Sequence, residues 1–516
     1  MITHGDPCPL QQRPEETTPL HPRAAGPREW IGLALLALPT LLIGLEVTLL
    51  HLVLPVLAVD LRPTSVQTLW IVDIYGFMIA GFLVTMGTLG DRIGRRRLMM
   101  IGAAGFAIAS VIAAFSSSAS MLIAARAALG VAGATLMPST LALISNLFLQ
   151  PRQRALAIGL WATVLALGMA AGPVVGGVLL AHYWWGAAFL IAVPIVALVL
   201  LGAPILLPEY RAPWPGRLDM PSVVLSLAAL LPVIYGIKQL AKGGPGAVAG
   251  FAIIVGLVLM ALFVRRQRRL ASPLIDLGLF ASRAFSVALG VLLVGLVGVG
   301  GTLLLVTQYL QLVAGLSPLA AGLWLMPPAL AMLAAGIGAP LLARCVRPGS
   351  LIGLALLLSA VGYLMLARLD SGSGEIPWVI ASFSLVYFGL GTLAALGTEL
   401  VVSAAPADKA GSAAALSEMV QELGLALGIA TLGSLAGTLY RLRMTTQLPG
   451  GLPPGVEDAL VDSLAGAVPQ GKALPAGLLE QAQDAFVAGF SLATTTCAIA
   501  IALLALLAAA MLRHVD

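Results

Sequence analysis

Apolar runs of about 20 residues recur from Trp30 nearly to the end of the chain, and a segment of that length and composition has one stable home, the hydrocarbon core of a bilayer. Lipid offers no water to the peptide groups, so each run must close its own hydrogen bonds as a helix. Fourteen spans are read, at approximately 31–57, 68–88, 98–117, 120–143, 154–180, 186–207, 222–241, 247–264, 284–311, 319–343, 350–368, 377–402, 411–439 and 486–512. With 59% hydrophobic and only 10% charged residues, soluble domains are excluded, and the expected fold class is all-α and integral to the membrane. An even number of spans puts both ends on one side. If the N-terminus lies inside, 20 of the 28 Lys and Arg fall in cytoplasmic segments, 7 fall in outer loops or outer helix ends, and Arg126 is intramembrane. Basic residues resist translocation, so both termini are expected in the cytoplasm. The net charge of +5 is thereby explained by topology, and no nucleic-acid partner is expected.

Residues 1–29 are polar and Pro-rich without an apolar core, which predicts a disordered cytoplasmic tail rather than a cleaved signal peptide. Between Pro208 and Arg269 two apolar runs are parted by Lys-Gly-Gly-Pro-Gly at 242–246, the pattern of an inserted hairpin. The domains are therefore drawn as an N-terminal six-helix unit at 30–207, the hairpin with its flanking loops at 208–269, and a C-terminal six-helix unit at 270–516. The outer loop at about 440–485 is the longest outside the tail; Glu457 to Val468 could form a short amphipathic helix after Pro453-Pro454, and Pro475 could open another. This loop is read as a passive connection, with gating the alternative. Cys8, Cys345 and Cys497 fall in the N-terminal tail, a short loop and the last apolar run, so neither a disulfide framework nor a metal site is expected.

The chemistry is expected where charge interrupts the apolar runs. Glu46, Asp73, Glu399, Glu418 and Glu422 do so, and a charge at the bilayer centre costs roughly 2.5–3.5 kcal/mol on insertion scales. Two readings stand side by side: the acids are structural, paired with Arg126 or held at interfaces, or they line a cavity and exchange protons. Glu418 and Glu422 share a helical face at i, i+4 spacing, while Gly424 and Gly428 lie on a roughly opposite one suited to close packing. Such carboxylates would also attract a lipophilic cation whose apolar body rests on aromatics such as Trp70, Trp161 and Tyr309, although membrane aromatics are more often anchors or packing residues. His51, beyond Glu46 on the first span, is read as a packing or hydrogen-bonding residue before a proton relay. No phosphate-binding loop, nucleophile and base set, metal cluster or cofactor motif is found, so neither ATP coupling nor an enzyme is expected.

Two motifs carry a family resemblance. Gly87-Thr-Leu-Gly90-Asp91-Arg92-Ile-Gly94-Arg95-Arg96-Arg97 resembles the signature between the second and third helices of the major facilitator superfamily, where the Asp and Arg latch helices as the carrier changes state. Gly168-x-x-x-Gly172-Pro173-x-x-Gly176-Gly177 on the fifth span resembles the antiporter motif of facilitator-type drug exporters. Further stretches, from Leu45-Glu46-Val-Thr48, Leu69-Trp70-Ile-Val-Asp73-Ile-Tyr75 and Arg126-x-x-x-Gly130 to Gln308-Tyr309-Leu-Gln311 and Gly411 through Gly428, look like the fourteen-helix drug:proton antiporters, nearest to QacA-like quaternary-ammonium efflux pumps. In that group Glu46 stands where Asp is usual, and the tenth span lacks the acid that some members carry.

The resemblance implies two six-helix bundles around a midplane cavity plus the inserted hairpin. It implies a proton-coupled antiporter of a bacterial inner membrane, monomeric and embedded in lipid, that exports lipophilic cations such as quaternary ammonium compounds, dyes and biocides by alternating access. Asp73, Glu46, Glu418, Glu422 and Arg126 are the expected proton-coupling set, and Glu46, Glu418, Glu422, Trp70, Trp161 and Tyr309 the expected drug contacts. A dedicated natural-product or self-resistance exporter is the alternative; proton symport of a nutrient is disfavoured by the Gly172-Pro173 motif.

Overall fold

The computed structural model describes residues 25–211, 219–242, 246–270, 273–343, 345–369, 375–406, 409–448, 452, 454–475 and 477–511; most of the expected tail, with Cys8, Pro453 and the centre of the 242–246 turn lie outside them. Among the described residues, fourteen helices are long and apolar enough to span a membrane. They are α1 (Pro27–Leu61), α2 (Ser65–Ile93), α3 (Arg95–Ala114), α4 (Ala119–Leu147), α5 (Arg152–His182), α6 (Ala187–Leu206), α7 (Met220–Ala241), α8 (Gly246–Gln267), α9 (Arg283–Val313), α10 (Pro318–Leu342), α11 (Pro348–Leu366), α12 (Ile376–Ser403), α13 (Ser412–Thr446) and α14 (Leu478–Ala508). Each matches one apolar run of the sequence.

Several helices begin before their apolar run because a polar residue caps them. Thr64, Ser118, Asp219, Ser282 and Ser317 each accept a hydrogen bond from the backbone N–H three residues on, satisfying a donor that lipid could not. Pro173 lies inside an unbroken helix, whereas α6 is interrupted at Ile191 and α9 ends in a π-turn over Tyr309–Val313.

α1 to α6 form one bundle and α9 to α14 the other, with α1 packed along α5, α2 along α4, α9 along α13 and α10 along α12. The α7–α8 hairpin sits at their flank. α7 packs on α2 and α13, one helix from each bundle, and α8 packs on α7. The contact core beneath α7 is small: Phe77, Ala426, Ala430 and Ile234 are buried there, with Trp70, Leu230 and Ile237 against them. Phe251, Ile254, Leu257 and Val258 leave α8 with an exposed apolar face, as a lipid-facing helix should have.

We call the end of the bundle that carries Arg92 to Arg97 the basic end, and the opposite one the far end. The segment after α13 folds over the far end as a helix at Pro454–Asp462, a second turn at Leu464–Ala467 and a 3-10 turn at Val468–Ala473, so the single helix expected to Val468 breaks at Ser463, which caps the second turn. Asp462 accepts hydrogen bonds from the Ser65 N–H at 2.6 Å and the Ser65 hydroxyl at 2.9 Å, and Tyr440 donates to the Leu460 carbonyl at 2.8 Å. The Arg441 guanidinium donates to the Ser65 hydroxyl at 3.2 Å and also reaches the Ala241 carbonyl at the tip of α7. A segment of the C-terminal half is thus tied to the first turn of α2 and to the hairpin.

The hairpin closes through glycine. A Cβ at Gly256 would lie 2.7 Å from the Ala229 carbonyl oxygen and 3.1 Å from the Val233 nitrogen, whereas one at Gly250, also on α8, would meet nothing within 4 Å. Backbone at that range cannot yield, so Gly256→Leu is expected to part α7 from α8 and cost about 1–3 kcal/mol, while Gly250→Leu leaves stability nearly unchanged. Thermal unfolding of both variants in one detergent tests this; equal midpoints would show that the hairpin is not packed through Gly256.

Candidate functional site

Between the bundles lies a narrow cavity walled by α1, α2, α4, α5, α9, α12 and α13. Val47, Leu50, His51, Val72, Tyr75, Met169, Val299, Leu303, Tyr387 and Leu425 line it, and its charged groups are Asp73, Arg126 and Glu422. Three residues expected from the sequence to handle protons therefore share one wall space. Their convergence follows from helix geometry: Asp73 and Gly76 lie on the α2 face toward α13, and a Cβ at Gly76 would stand 3.2 Å from the Ala426 Cβ and 4.0 Å from Glu422 Oε2. Glycine at 76 lets Glu422 approach.

Arg126 organises the N-terminal side of the cavity. Its guanidinium is 2% exposed, pairs directly with the Glu46 carboxylate, and donates to the Ile71 and Val72 carbonyls at 3.0 and 3.4 Å. It also lies over the Tyr75 ring at 4.6 Å from the centroid. Glu46 sits behind Arg126 rather than on the cavity wall. The structural reading of Glu46 and its functional reading are consequently joined in one pair: whatever protonates Glu46 also frees a buried cation beside the cavity.

Asp73 has a partner that sequence reading did not single out. Lys238 of α7, assigned there to an outer helix end, is fully buried, with its Nζ 2.7 Å from Asp73 Oδ2 and 3.6 Å from the centroid of the Trp70 ring. The signal available was a lysine within the last turn of an apolar run, which snorkelling to the interface explains equally well. What distinguishes the cases is α7 lying on α2, a tertiary fact.

The other expected residues fall in different places. Glu418 stands one turn from Glu422 toward the basic end and is half-buried; Gly424 and Gly428 do pack against α9, at Leu296 and Gly301. Glu399 is exposed near the end of α12, away from the cavity. Trp161 is buried, donating from Nε1 to the Thr140 hydroxyl at 3.2 Å, and Tyr309 stacks on Phe490 with centroids 6.2 Å apart; both belong to packing cores, and neither lines the cavity. Trp70 borders α7 through Lys238 and meets Phe77 of its own helix edge to face.

The turn between α2 and α3 is held by a cluster. Asp91 pairs with Arg95 one turn later, at 2.6 Å, and Arg95 reaches toward the Pro138 carbonyl of α4 at 3.4 Å. Gly94 adopts φ 113°, a conformation that strains other residues, and a Cβ at Gly90 would meet Arg95 Cδ at 2.9 Å. A second missed residue, Glu209 just after α6, accepts from the Arg96 N–H at 3.0 Å and lies 3.7 and 3.8 Å from the Arg96 and Arg97 guanidinium groups. Gly87 faces Pro138 of α4. The turn thus grips α4 and the end of α6. Across the molecule at the basic end, Lys409 pairs with Asp276 at 2.6 Å and, with the Gly278 N–H, holds that carboxyl below its ordinary pKa.

The glycine motif of α5 uses two faces. Gly168, Gly172 and Gly176 lie on α1 between Leu41 and Leu52, where the Thr48 hydroxyl donates to the Met169 carbonyl at 2.9 Å. Pro173 and Gly177 instead meet α10 of the other bundle: a Cβ at Gly177 would stand 2.7 Å from Leu319 Cα, and one at Gly322 would stand 2.8 Å from the Pro173 carbonyl carbon. Gln311 adds a hydrogen bond to the Leu52 carbonyl at 3.1 Å. The halves are closed on each other at the far end.

The family model of the Major Facilitator Superfamily matches residues 36–429. The multidrug efflux pump LfrA of Mycolicibacterium smegmatis is 44% identical, with 94% of this chain and 95% of that protein covered. The methyl viologen resistance protein SmvA of Salmonella typhimurium is 35% identical over 93% of this chain and 97% of its own. The tetracenomycin C resistance and export protein of Streptomyces glaucescens is 31% identical, with coverages of 95% and 92%. Among solved structures, a bacterial homologue of the human lysosomal transporter Spinster in an inward-facing, unoccupied conformation aligns with TM-score 0.62 at 18% identity, covering 94% of this chain and 98% of that one, which supports the fold.

Breaking one member of a buried pair leaves the other charge uncompensated, at a cost of roughly 3–5 kcal/mol. Glu46→Gln is therefore expected to lower the unfolding midpoint in detergent, and Glu46→Gln with Arg126→Gln to recover much of the loss. An unchanged midpoint in the single variant would mean that Arg126 does not depend on Glu46.

Proposed function

Because the chain belongs to the major facilitator superfamily, and its relatives over nearly full length include multidrug efflux pumps and resistance exporters, we propose that this drug efflux transporter exchanges lipophilic organic cations for protons across a bacterial inner membrane. The observation that carries the reading is the meeting of Asp73 and Glu422, one from each bundle, on a single cavity otherwise walled by apolar and aromatic side chains. A cation with an apolar body fits such a wall, and a carboxylate there can hold either the cation or a proton. Competition between them for the same oxygens is antiport in its simplest form.

In this reading the basic end is cytoplasmic and the far end faces outward, as the distribution of Lys and Arg suggests. The arrangement, with Pro173 and Gly177 against α10 and Asp462 against Ser65, then corresponds to a carrier closed to the outside. Drug enters from the cytoplasm or inner leaflet, the far end opens, and a proton taken by Asp73, Glu422 or the Glu46–Arg126 pair weakens the hold on the cation. Asp91 with Arg95, and Glu209 with Arg96 and Arg97, act as the latch that keeps α2, α3, α4 and α6 moving as one body. Glu418 contributes a second negative charge toward the cytoplasmic mouth. Export of a single natural product through the same cavity is the alternative that the tetracenomycin C exporter supports.

Three outcomes test the proposal. Inverted vesicles carrying the protein should accumulate ethidium only while a proton gradient is maintained; accumulation that survives collapse of both the pH gradient and the membrane potential, with ATP present, would refute proton coupling. Asp73→Asn should reduce drug-driven proton release from the solubilised protein for every substrate by tenfold or more. Glu422→Gln should weaken transport of a bis-quaternary dication more than that of a monocation, because one negative charge is then missing from the cavity. Equal effects on both cations would show that Glu422 does not face the drug.

A further inference from the structure

The α7–α8 hairpin brings a cation to the cavity wall. Its docking core, Ile234, Leu230 and Ile237 against Phe77 and Ala426, is apolar and would hold α7 with uncharged residues at both 73 and 238. A buried ion pair is a costly way to fasten a helix, often no better than a well-packed apolar residue of similar size. Lys238 is nevertheless 1% exposed, with Asp73 Oδ2 at 2.7 Å and the face of Trp70 at 3.6 Å. A carboxylate at one side and an aromatic face at the other is the setting that recognises organic ammonium ions. The two residues of the pair also face different spaces. Asp73 lines the central cavity, whereas Lys238 lines a separate far-end pocket with Ser65, Leu69, Arg441 and Asp462.

We propose that Asp73 and Trp70 form a cation subsite at the far end of the central cavity, and that Lys238 of the hairpin fills it as a tethered cation whenever Asp73 holds neither a substrate cation nor a proton. The inference rests on the proposed export of organic cations and adds to it a competitor built into the chain. Substrate displaces the ammonium from Asp73; after the drug has left, Lys238 returns to the carboxylate and closes the partition between cavity and far-end pocket. The device makes release at the far end less dependent on the affinity of the drug, since the lysine opposes rebinding at the same oxygens. It assigns the inserted hairpin a part in the transport cycle.

The test is equilibrium binding of tetraphenylphosphonium, a monovalent apolar cation, to detergent-solubilised full-length protein at one fixed pH. Lys238→Gln removes the competitor and leaves Asp73 and Trp70 in place, so affinity is expected to rise about tenfold, and adding Trp70→Leu to that variant should abolish the gain. A pair that only fastens the helix gives the opposite result, and equal or weaker binding in folded Lys238→Gln overturns the proposal. Should Lys238→Gln not yield folded protein, Lys238→Arg decides: arginine holds carboxylate and ring more firmly, so affinity should fall about threefold, and equal or tighter binding overturns the proposal. Ethidium export by the wild type, measured alongside, keeps the two readings apart. Export without the affinity change refutes the tethered cation alone, whereas absence of both export and binding in the wild type refutes the transport reading on which it stands.

Discussion

A charge that lies among apolar helices must find its opposite, and the centre of this protein is arranged around that requirement. Arg126 meets Glu46 and two carbonyls; Lys238 meets Asp73 and an aromatic face. Each pair fixes two helices relative to each other, α1 with α4 and α2 with α7, because separating them would strand a bare charge in a medium of low dielectric. Both pairs border the same cavity, so in the proposed exchange the groups that hold the helices in place are also the groups that a proton or a cationic solute would release. On that proposal, stability and transport draw on the same contacts.

Charges at the basic end behave differently. Asp91, Arg95, Arg96 and Glu209 are partly exposed, and exposed pairs contribute only about 0–1 kcal/mol each. Their value lies in geometry: the network grips three segments at one turn, with Gly94 supplying the backbone conformation that lets α2 pass directly into α3.

Much of this was legible in the sequence because lipid imposes its rule on every residue of a span. The fourteen helices follow from run length, whereas their true starts, set by caps such as Thr64, Ser118 and Ser317, lie before the apolar runs that marked them. Asp73, Arg126 and Glu422 could be marked because charge in an apolar run is conspicuous, and the opposite-facing glycines of α13 could be marked by helical period. What the chain did not reveal was partnership. Lys238 and Glu209 lie far in sequence from Asp73 and Arg96, and only the docking of α7 on α2, or the return of α6 to the start of α3, brings them together. Trp161 and Tyr309 illustrate the same limit, since an aromatic in an apolar helix looks alike whether it faces a cavity or a neighbour.

The contact of α5 with α10 has an evolutionary consequence. At Gly177 and Gly322 the two bundles touch backbone to backbone, so even a methyl group added on either side would push the halves apart. These positions lie in different halves of the chain, and each is limited by backbone of the other half, Gly177 by Pro318 and Leu319 and Gly322 by Pro173 and Val174. Drift at the seam is consequently confined to paired or vanishingly small changes, while the lipid-facing surface of α8, which touches no second protein element beyond its own hairpin to any comparable extent, is free to diverge so long as it remains apolar. Relatives in this lineage should therefore vary on their rims and agree along their seams.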